Sequence, residues 1–273
     1  MELISGVIKE EYSNYVLYFI DNLSEELKCE IRNRLVAVCH GEDQADSTYG
    51  IYSYRSTVRE FIKRYKANDN KSENRNKGMI GELLVHIILA LEGRFMITSP
   101  FFNMEERSFK KGYDITLYEL DSAELWITEV KSGTLQKRQT NISSTAVSLI
   151  NTAKNDLNRR LNGANPSIWM NALNAARVSM SNSNNQKKAV IDLLGKCADN
   201  ADLGESSSKT FNVVLSGAVF HPINERIEAS RLEGKYSKIA RENIFKRTFI
   251  ITIQYEKFKD IYDFLEMEVN DEI

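Results

Sequence analysis

Two strand-like runs with a turn between them lie near the middle of the chain and constrain its fold more than any other feature. Residues 115–118 and 125–131 are rich in β-branched and aromatic side chains, which favour strands. Between the runs, Asp121 and Ser122 supply turn-forming residues. The pattern predicts two neighbouring strands whose ends meet at one point of a sheet.

Three charged side chains fall where these two strands meet. Asp114 opens the first strand, and Glu129 and Lys131 lie near the end of the second. Because side chains alternate along a strand, Glu129 and Lys131 share a face while Val130 points the other way. Two converging carboxylates repel each other unless a divalent cation lies between them, and oxygen ligands of this kind suit Mg²⁺ or Mn²⁺. A lysine beside them can orient an attacking water or stabilise charge on a phosphate, so the pattern indicates a site that hydrolyses phosphodiesters.

The arrangement resembles the PD-(D/E)xK nucleases, which have the restriction-endonuclease-like fold. The resemblance implies that Asp114 is the first metal-binding acid, Glu129 the second acid and Lys131 the lysine of that motif. It also implies a further acid on the preceding helix, which here is Glu82. Residues 112–113 are Gly-Tyr where the motif has its proline. The alternative is that these are ordinary surface charges.

The same resemblance implies a mechanism for each residue. Asp114, Glu129 and the carbonyl of Val130 would hold one or two Mg²⁺ or Mn²⁺ ions. Glu82 would orient a metal-bound water or bind a second ion, and Lys131 would position the attacking water. Two alternatives stay open, a non-catalytic DNA-binding module of the same fold and a purely structural interaction subunit. The complete set of three acids and a lysine favours the enzyme, because a module without chemistry has no need of it.

A closer likeness covers residues 78–133. The Gly81-Glu82 helix, the turn at residues 111–114 and the strand end at residues 129–133 are similar to HamA, the nuclease subunit of the Hachiman antiphage system. That likeness implies a role in bacterial defence, DNA as the substrate and a helicase partner, HamB.

Charge is unevenly distributed along the chain. Residues 130–161 hold six basic residues and one acidic residue, and this stretch starts at the proposed catalytic lysine, where a polyanion would lie. The predicted DNA contacts are Lys137, Arg138, Lys154, Arg159 and Arg160. Gln136 and Gln139 are weaker candidates for substrate contact. A solvated helix face is the alternative for each of these residues.

Both ends of the chain are acidic, since residues 1–30 and 256–273 each hold two basic and seven acidic residues. They are candidate docking surfaces for a partner, or simply solubilising termini. No Walker A loop occurs in the sequence, so energy from ATP would have to come from another protein. The three cysteines lack metal-ligand spacing. The sequence also shows no signal peptide and no membrane-spanning apolar run. These features predict a cytoplasmic protein.

The predicted fold class is α/β, with a mixed central sheet of about five strands flanked by helices, restriction-endonuclease-like, and an N-terminal helical elaboration. The predicted division is a helical lobe at residues 1–76 and a nuclease core at 77–273. Strands are predicted at residues 94–98, 115–118, 125–131, 211–220 and 248–255. Helices are predicted at residues 23–38, 55–67, 77–92, 142–161, 167–198 with an interruption, 223–243 and the acidic end of the chain.

Ser24 is the predicted cap of the first helix, and Gly93 is expected to end the third. His86 is expected to be structural rather than a minor acid-base group, and Trp126 and Trp169 to lie in the core.

Overall fold

A computed structural model describes residues 1–69, 73–102, 112–135, 141–183 and 185–270. Its strands form one eight-stranded sheet in the order β1-β2-β3-β8-β7-β6-β5-β4. The strands are β1 (Glu2–Ile4), β2 (Val7–Glu11), β3 (Tyr15–Ile20), β4 (Phe95–Ile97), β5 (Ile115–Glu119), β6 (Glu124–Gly133), β7 (Asn212–Val219) and β8 (Arg247–Tyr255). The four middle strands, β3, β8, β7 and β6, are mutually parallel, and an antiparallel pair extends each side of the sheet.

The predicted central sheet of about five strands is therefore wrong, and so is the purely helical start of the chain. Residues 2–20 form three strands, and β3 lies inside the sheet beside β8. All six residues of β3 are buried. A strand covered on both faces lacks the polar–apolar alternation by which half-buried strands are recognised, which is why the sequence pattern did not reveal it. The predicted division of the chain at residue 76 stays a prediction.

Helices cover both faces of the sheet. They are α1 (Glu25–His40), α2 (Glu42–Ala45), α3 (Tyr54–Asp69), α4 (Glu73–Glu92), α5 (Ile142–Leu161), α6 (Pro166–Ser179), α7 (Lys187–Asp202), α8 (Ala229–Glu242) and α9 (Phe258–Asn270). Helices α1, α3, α4 and α9 bury apolar side chains against one face, and α5 to α8 do so against the other. The two cores are thus separated by the sheet.

Several local predictions are confirmed. The Ser24 hydroxyl accepts a hydrogen bond from the Leu27 amide and caps α1. Gly93 has φ +67° directly after α4, a left-handed conformation that glycine adopts without strain. Residues 41–54, between the first two predicted helices, are not all loop, because α2 and a short 3₁₀ turn lie within them.

The strand pair predicted in the middle of the chain is also confirmed. Strands β5 and β6 are antiparallel and Ile115 pairs with Thr128. Strand β6 continues beyond this pair as far as Gly133, where it pairs with the parallel strand β7. The far end of β6 thus projects beyond the start of β5, and the charged residues lie there. Within the described ranges, no helix has the length and apolarity needed to cross a membrane.

Candidate active site

The antiparallel register of β5 and β6 brings Asp114 to Glu129. Ile115 lies opposite Thr128, so Asp114, which directly precedes Ile115, lies close to Glu129, which directly follows Thr128. The Val130 amide also donates a hydrogen bond to Asp114 Oδ2 at 2.8 Å. The backbone of one strand therefore holds the carboxylate that opens the other.

Glu129 is fully buried and lies between two cations. Lys131 Nζ is 2.7 Å from Glu129 Oε1. Arg160 on α5 places Nη2 3.1 Å from Oε1 and Nη1 3.0 Å from Oε2. A buried carboxylate is costly unless it is paired, and here each of its oxygens has a cation beside it.

Helix α5 supplies a second layer of charges around this cluster. Asp156 Oδ2 lies 2.9 Å from Lys131 Nζ, and Arg160 Nη1 also donates to the Gly112 carbonyl at 3.2 Å. Residues four apart share one face of a helix, so both side chains reach the site from α5. In the sequence, Asp156 is the single acidic residue of the basic stretch, and Arg160 is predicted only as a DNA contact. The signal that could have found them is their i,i+4 spacing on the helix after the Glu-Val-Lys strand.

Burial and charge shift the pKa values of the cluster in opposite directions. Burial raises the pKa of Glu129 to about 7, and the nearby charge of Asp114 adds to this rise against the opposing effect of Arg160 and Lys131. Burial lowers the pKa of the Lys131 ammonium, but Glu129 and Asp156 outweigh it and the net pKa is raised. Burial raises the pKa of Asp156, but its hydrogen bond from Lys131 leaves that pKa below the ordinary value. Lys131 is thus held as a cation beside a carboxyl group that ionises with difficulty.

The raised pKa of Glu129 predicts a pH-dependent stability. Between the ordinary glutamate value of 4.5 and the folded value of about 7, the folded protein binds a proton that the unfolded chain has lost. The stabilisation is therefore complete at low pH and is lost as pH rises through 7. The free energy of unfolding of the wild type is compared with that of Glu129→Gln at each pH, without metal. We expect the wild-type value to fall by on the order of 2 kcal/mol relative to the variant across this window. Urea unfolding in EDTA measures this difference, and a difference that does not change with pH contradicts it.

Glu82 reaches the region from α4, on the other side of the sheet. A Cβ built at Gly81 would lie 2.0 Å from Ser132 Oγ and 2.9 Å from Ala218 Cβ, so α4 packs closely on β6 and β7. Ser132 alternates with Lys131 along the strand and points to the opposite face. In the described part of the chain, no group of three or more His, Cys, Asp or Glu residues is placed to hold a metal ion. The structure thus unites Asp114, Glu129 and Lys131, while Glu82 comes from a helix on the other face.

The predicted DNA contacts have different surroundings. Arg159 has 78% of its side chain exposed, beside Asp156. Lys154 is buried and forms an ion pair of 2.5 Å with Glu242 on α8, and Arg160 lies inside the charged cluster. Two predicted contacts and both glutamine candidates lie outside the described residues: Lys137, Arg138, Gln136 and Gln139.

His86 and the two tryptophans lie in the interior, as predicted. His86 is fully buried on α4 with its ring edge-to-face against Phe101. Trp126 and Trp169 are both buried, one in each core.

Two acidic residues of α9 form ion pairs within the chain. Glu268 forms an ion pair of 2.8 Å with Arg32 on α1, and Glu266 forms one of 2.8 Å with Lys66 on α3. Ile261 and Leu265 of the same helix are buried in the core. This helix is therefore docked against its own chain, which reduces the acidic surface that it offers to a partner.

A protein-family model accounts for nearly the whole chain. The model for HamA matches residues 5–267. The chain belongs to the HamA family. The likeness at residues 78–133 is confirmed and extends over the matched range. Family membership indicates an antiphage protein related to the Hachiman system, a system with partner subunits. No curated protein sequence matches this HamA-family chain.

Proposed function

We propose that this HamA-family protein hydrolyses DNA phosphodiester bonds with Mg²⁺ or Mn²⁺ at the Asp114–Glu129–Lys131 cluster. The observation that carries the proposal is the buried Glu129, which lies near Asp114 at the end of the strand pair and has the Lys131 ammonium 2.7 Å away. Burial raises the pKa of Glu129, and repulsion from the nearby carboxylate of Asp114 adds to that rise. A divalent cation would relieve that repulsion, so the donor set fits a hard metal ion with oxygen ligands.

The residues of the cluster have distinct roles in this proposal. Asp114, Glu129 and the carbonyl of Val130 would hold the ion, which would activate a water and neutralise charge on the phosphate. Lys131 is positioned by Glu129 and Asp156 and would orient the attacking water. Glu82, on α4, would orient a metal-bound water or bind a second ion. This role has weaker support, because α4 packs on the opposite face of β6.

DNA is the proposed substrate, with little sequence specificity. Membership of an antiphage family supports it, and so does the exposed Arg159, which lies one residue before the cluster residue Arg160. A phosphate contact made by Arg159, or by Lys137 and Arg138, would add salt-dependent affinity without reading bases.

One observation favours a second candidate, a DNA-binding module without catalysis. Both oxygens of Glu129 have a cation within 3.1 Å, so Glu129 is ion-paired without any metal, although its Oε2 accepts no hydrogen bond. Incubating purified protein with plasmid, single-stranded DNA and RNA separates the candidates. We expect cleavage of DNA with Mg²⁺ or Mn²⁺ and none in EDTA. DNA binding with no cleavage under any metal condition favours the second candidate.

We further propose that the partner subunit is a helicase of the HamB type and that it restrains the nuclease. The chain has no Walker A loop, so energy-driven sensing of DNA would come from that partner. In the same plasmid assay, the co-expressed complex is expected to cut less than the isolated chain until an activating DNA engages it. Equal cleavage by the complex and the isolated chain contradicts the restraint, while the nuclease assignment survives.

A further inference from the structure

The guanidinium of Arg160 lies beside the carboxylate oxygens of Glu129, where a metal ion would bind. Its two terminal nitrogens lie 3.1 Å from Oε1 and 3.0 Å from Oε2. Nη2 donates a hydrogen bond to Oε1, and the positive charge of the guanidinium lies beside Oε2, which accepts no hydrogen bond. Lys131 adds a second cation at 2.7 Å from Oε1.

The position of Arg160 is set by the fold. Leu157 and Leu161, on either side of it along α5, are fully buried in the core, so the helix itself is fixed. The guanidinium also binds the Gly112 carbonyl at 3.2 Å, two residues before Asp114. One side chain therefore links the helix to both strands that carry the acids.

The side chain of Arg160 also has room to move away from Glu129. Its side chain is 27% exposed, so the guanidinium can turn towards solvent. Asp156 lies one helical turn earlier on the same face of α5, where an Asp–Arg pair at i,i+4 is favourable. Release from Glu129 would thus leave Arg160 with an acidic neighbour.

We propose that Arg160 is a positioning residue that locks Glu129 in a metal-excluding arrangement, and that metal loading requires its displacement. The inference rests on the proposed metal-dependent function and deepens it. A cation at Mg²⁺ distance from Glu129 would meet the guanidinium charge directly, and like charges at that separation repel strongly in a buried site. The isolated protein therefore binds divalent metal weakly, and metal affinity rises when Arg160 is withdrawn.

The test measures Mn²⁺ affinity of the full chain by the electron paramagnetic resonance signal of free Mn²⁺, above the pKa of Glu129. Four proteins are compared: wild type, Arg160→Gln, Arg177→Gln and Glu129→Gln. Arg177→Gln is the matched control, because it removes the same charge from an exposed position on α6, where Arg177 donates to Asn174. Glu129→Gln identifies the Mn²⁺ bound at the cluster rather than elsewhere on the acidic surface.

We expect Arg160→Gln to bind Mn²⁺ about tenfold more tightly than wild type, with Arg177→Gln within about twofold of wild type. Suppose that Arg160→Gln binds Mn²⁺ no more tightly than wild type does, and that Glu129→Gln abolishes this binding. The proposed lock is then overturned, while the metal-dependent function is unaffected. If no protein shows Mn²⁺ binding that depends on Glu129, both the lock and the proposed metal site are overturned.

A second variant covers the case in which Arg160→Gln does not fold, as judged by circular dichroism. Arg160→Lys keeps the charge but has no planar guanidinium to lie beside both carboxylate oxygens. We expect it to bind Mn²⁺ more tightly than wild type, by a smaller factor than Arg160→Gln. An unchanged or weaker affinity of folded Arg160→Lys overturns the lock.

Discussion

Glu129→Ala and Lys131→Ala are each expected to lower the rate of plasmid cleavage in Mg²⁺ by roughly 10²-fold or more. The first change removes a metal-binding carboxylate. The second removes the ammonium that lies 2.7 Å from that carboxylate and that would orient the water. The rates are measured from the conversion of supercoiled plasmid to nicked and linear forms.

Matched controls are available on the surface of the same chain. Glu25 and Lys63 have 79% and 72% of their side chains exposed and lie on α1 and α3. Glu25→Ala and Lys63→Ala are expected to cleave at the wild-type rate. If Glu129→Ala or Lys131→Ala is folded and also cleaves at that rate, the assignment of the site is wrong.

The second large effect is expected at Gly81, where α4 meets the sheet. A Cβ there would lie 2.0 Å from Ser132 Oγ and 2.9 Å from Ala218 Cβ, so helix and strands must move apart. We expect Gly81→Ala to lower the free energy of unfolding by about 2 kcal/mol, because overpacking an ordered contact costs about 1–3 kcal/mol.

Gly78 provides the control for Gly81 on the same helix. No atom lies within 4 Å of a Cβ built at Gly78, so Gly78→Ala gains helix propensity without a clash. We expect it to raise the free energy of unfolding by roughly 0.5–1 kcal/mol. Urea unfolding measures both variants. Equal effects of the two substitutions would contradict the close packing of α4 on β6.

The local parts of the fold followed from the sequence because they depend on short-range physics. The β5–β6 pair is recognisable from its β-rich runs and the turn between them, and Ser24 and Gly93 mark helix ends through their own backbone preferences. These elements alone predict that Asp114, Glu129 and Lys131 lie close together.

The long-range parts did not follow from the sequence. Strand β3 pairs with β8, which lies more than 200 residues later in the chain, and its fully buried residues carry no alternation that predicts a strand. Lys154 and Arg160 look alike as members of a basic stretch. Only the packing of α5 shows that one pairs with Glu242 on α8 and the other with the buried Glu129.

The most direct test of a metal-dependent site at this cluster is the anomalous scattering of Mn²⁺ in crystals of the protein with and without Arg160→Gln. We expect an anomalous peak between the carboxylates of Asp114 and Glu129, at about 2.0–2.3 Å from their oxygens, and a stronger peak in the variant. A protein that cleaves DNA in Mn²⁺ but shows its peak at other residues would contradict the assignment of Asp114, Glu129 and Lys131.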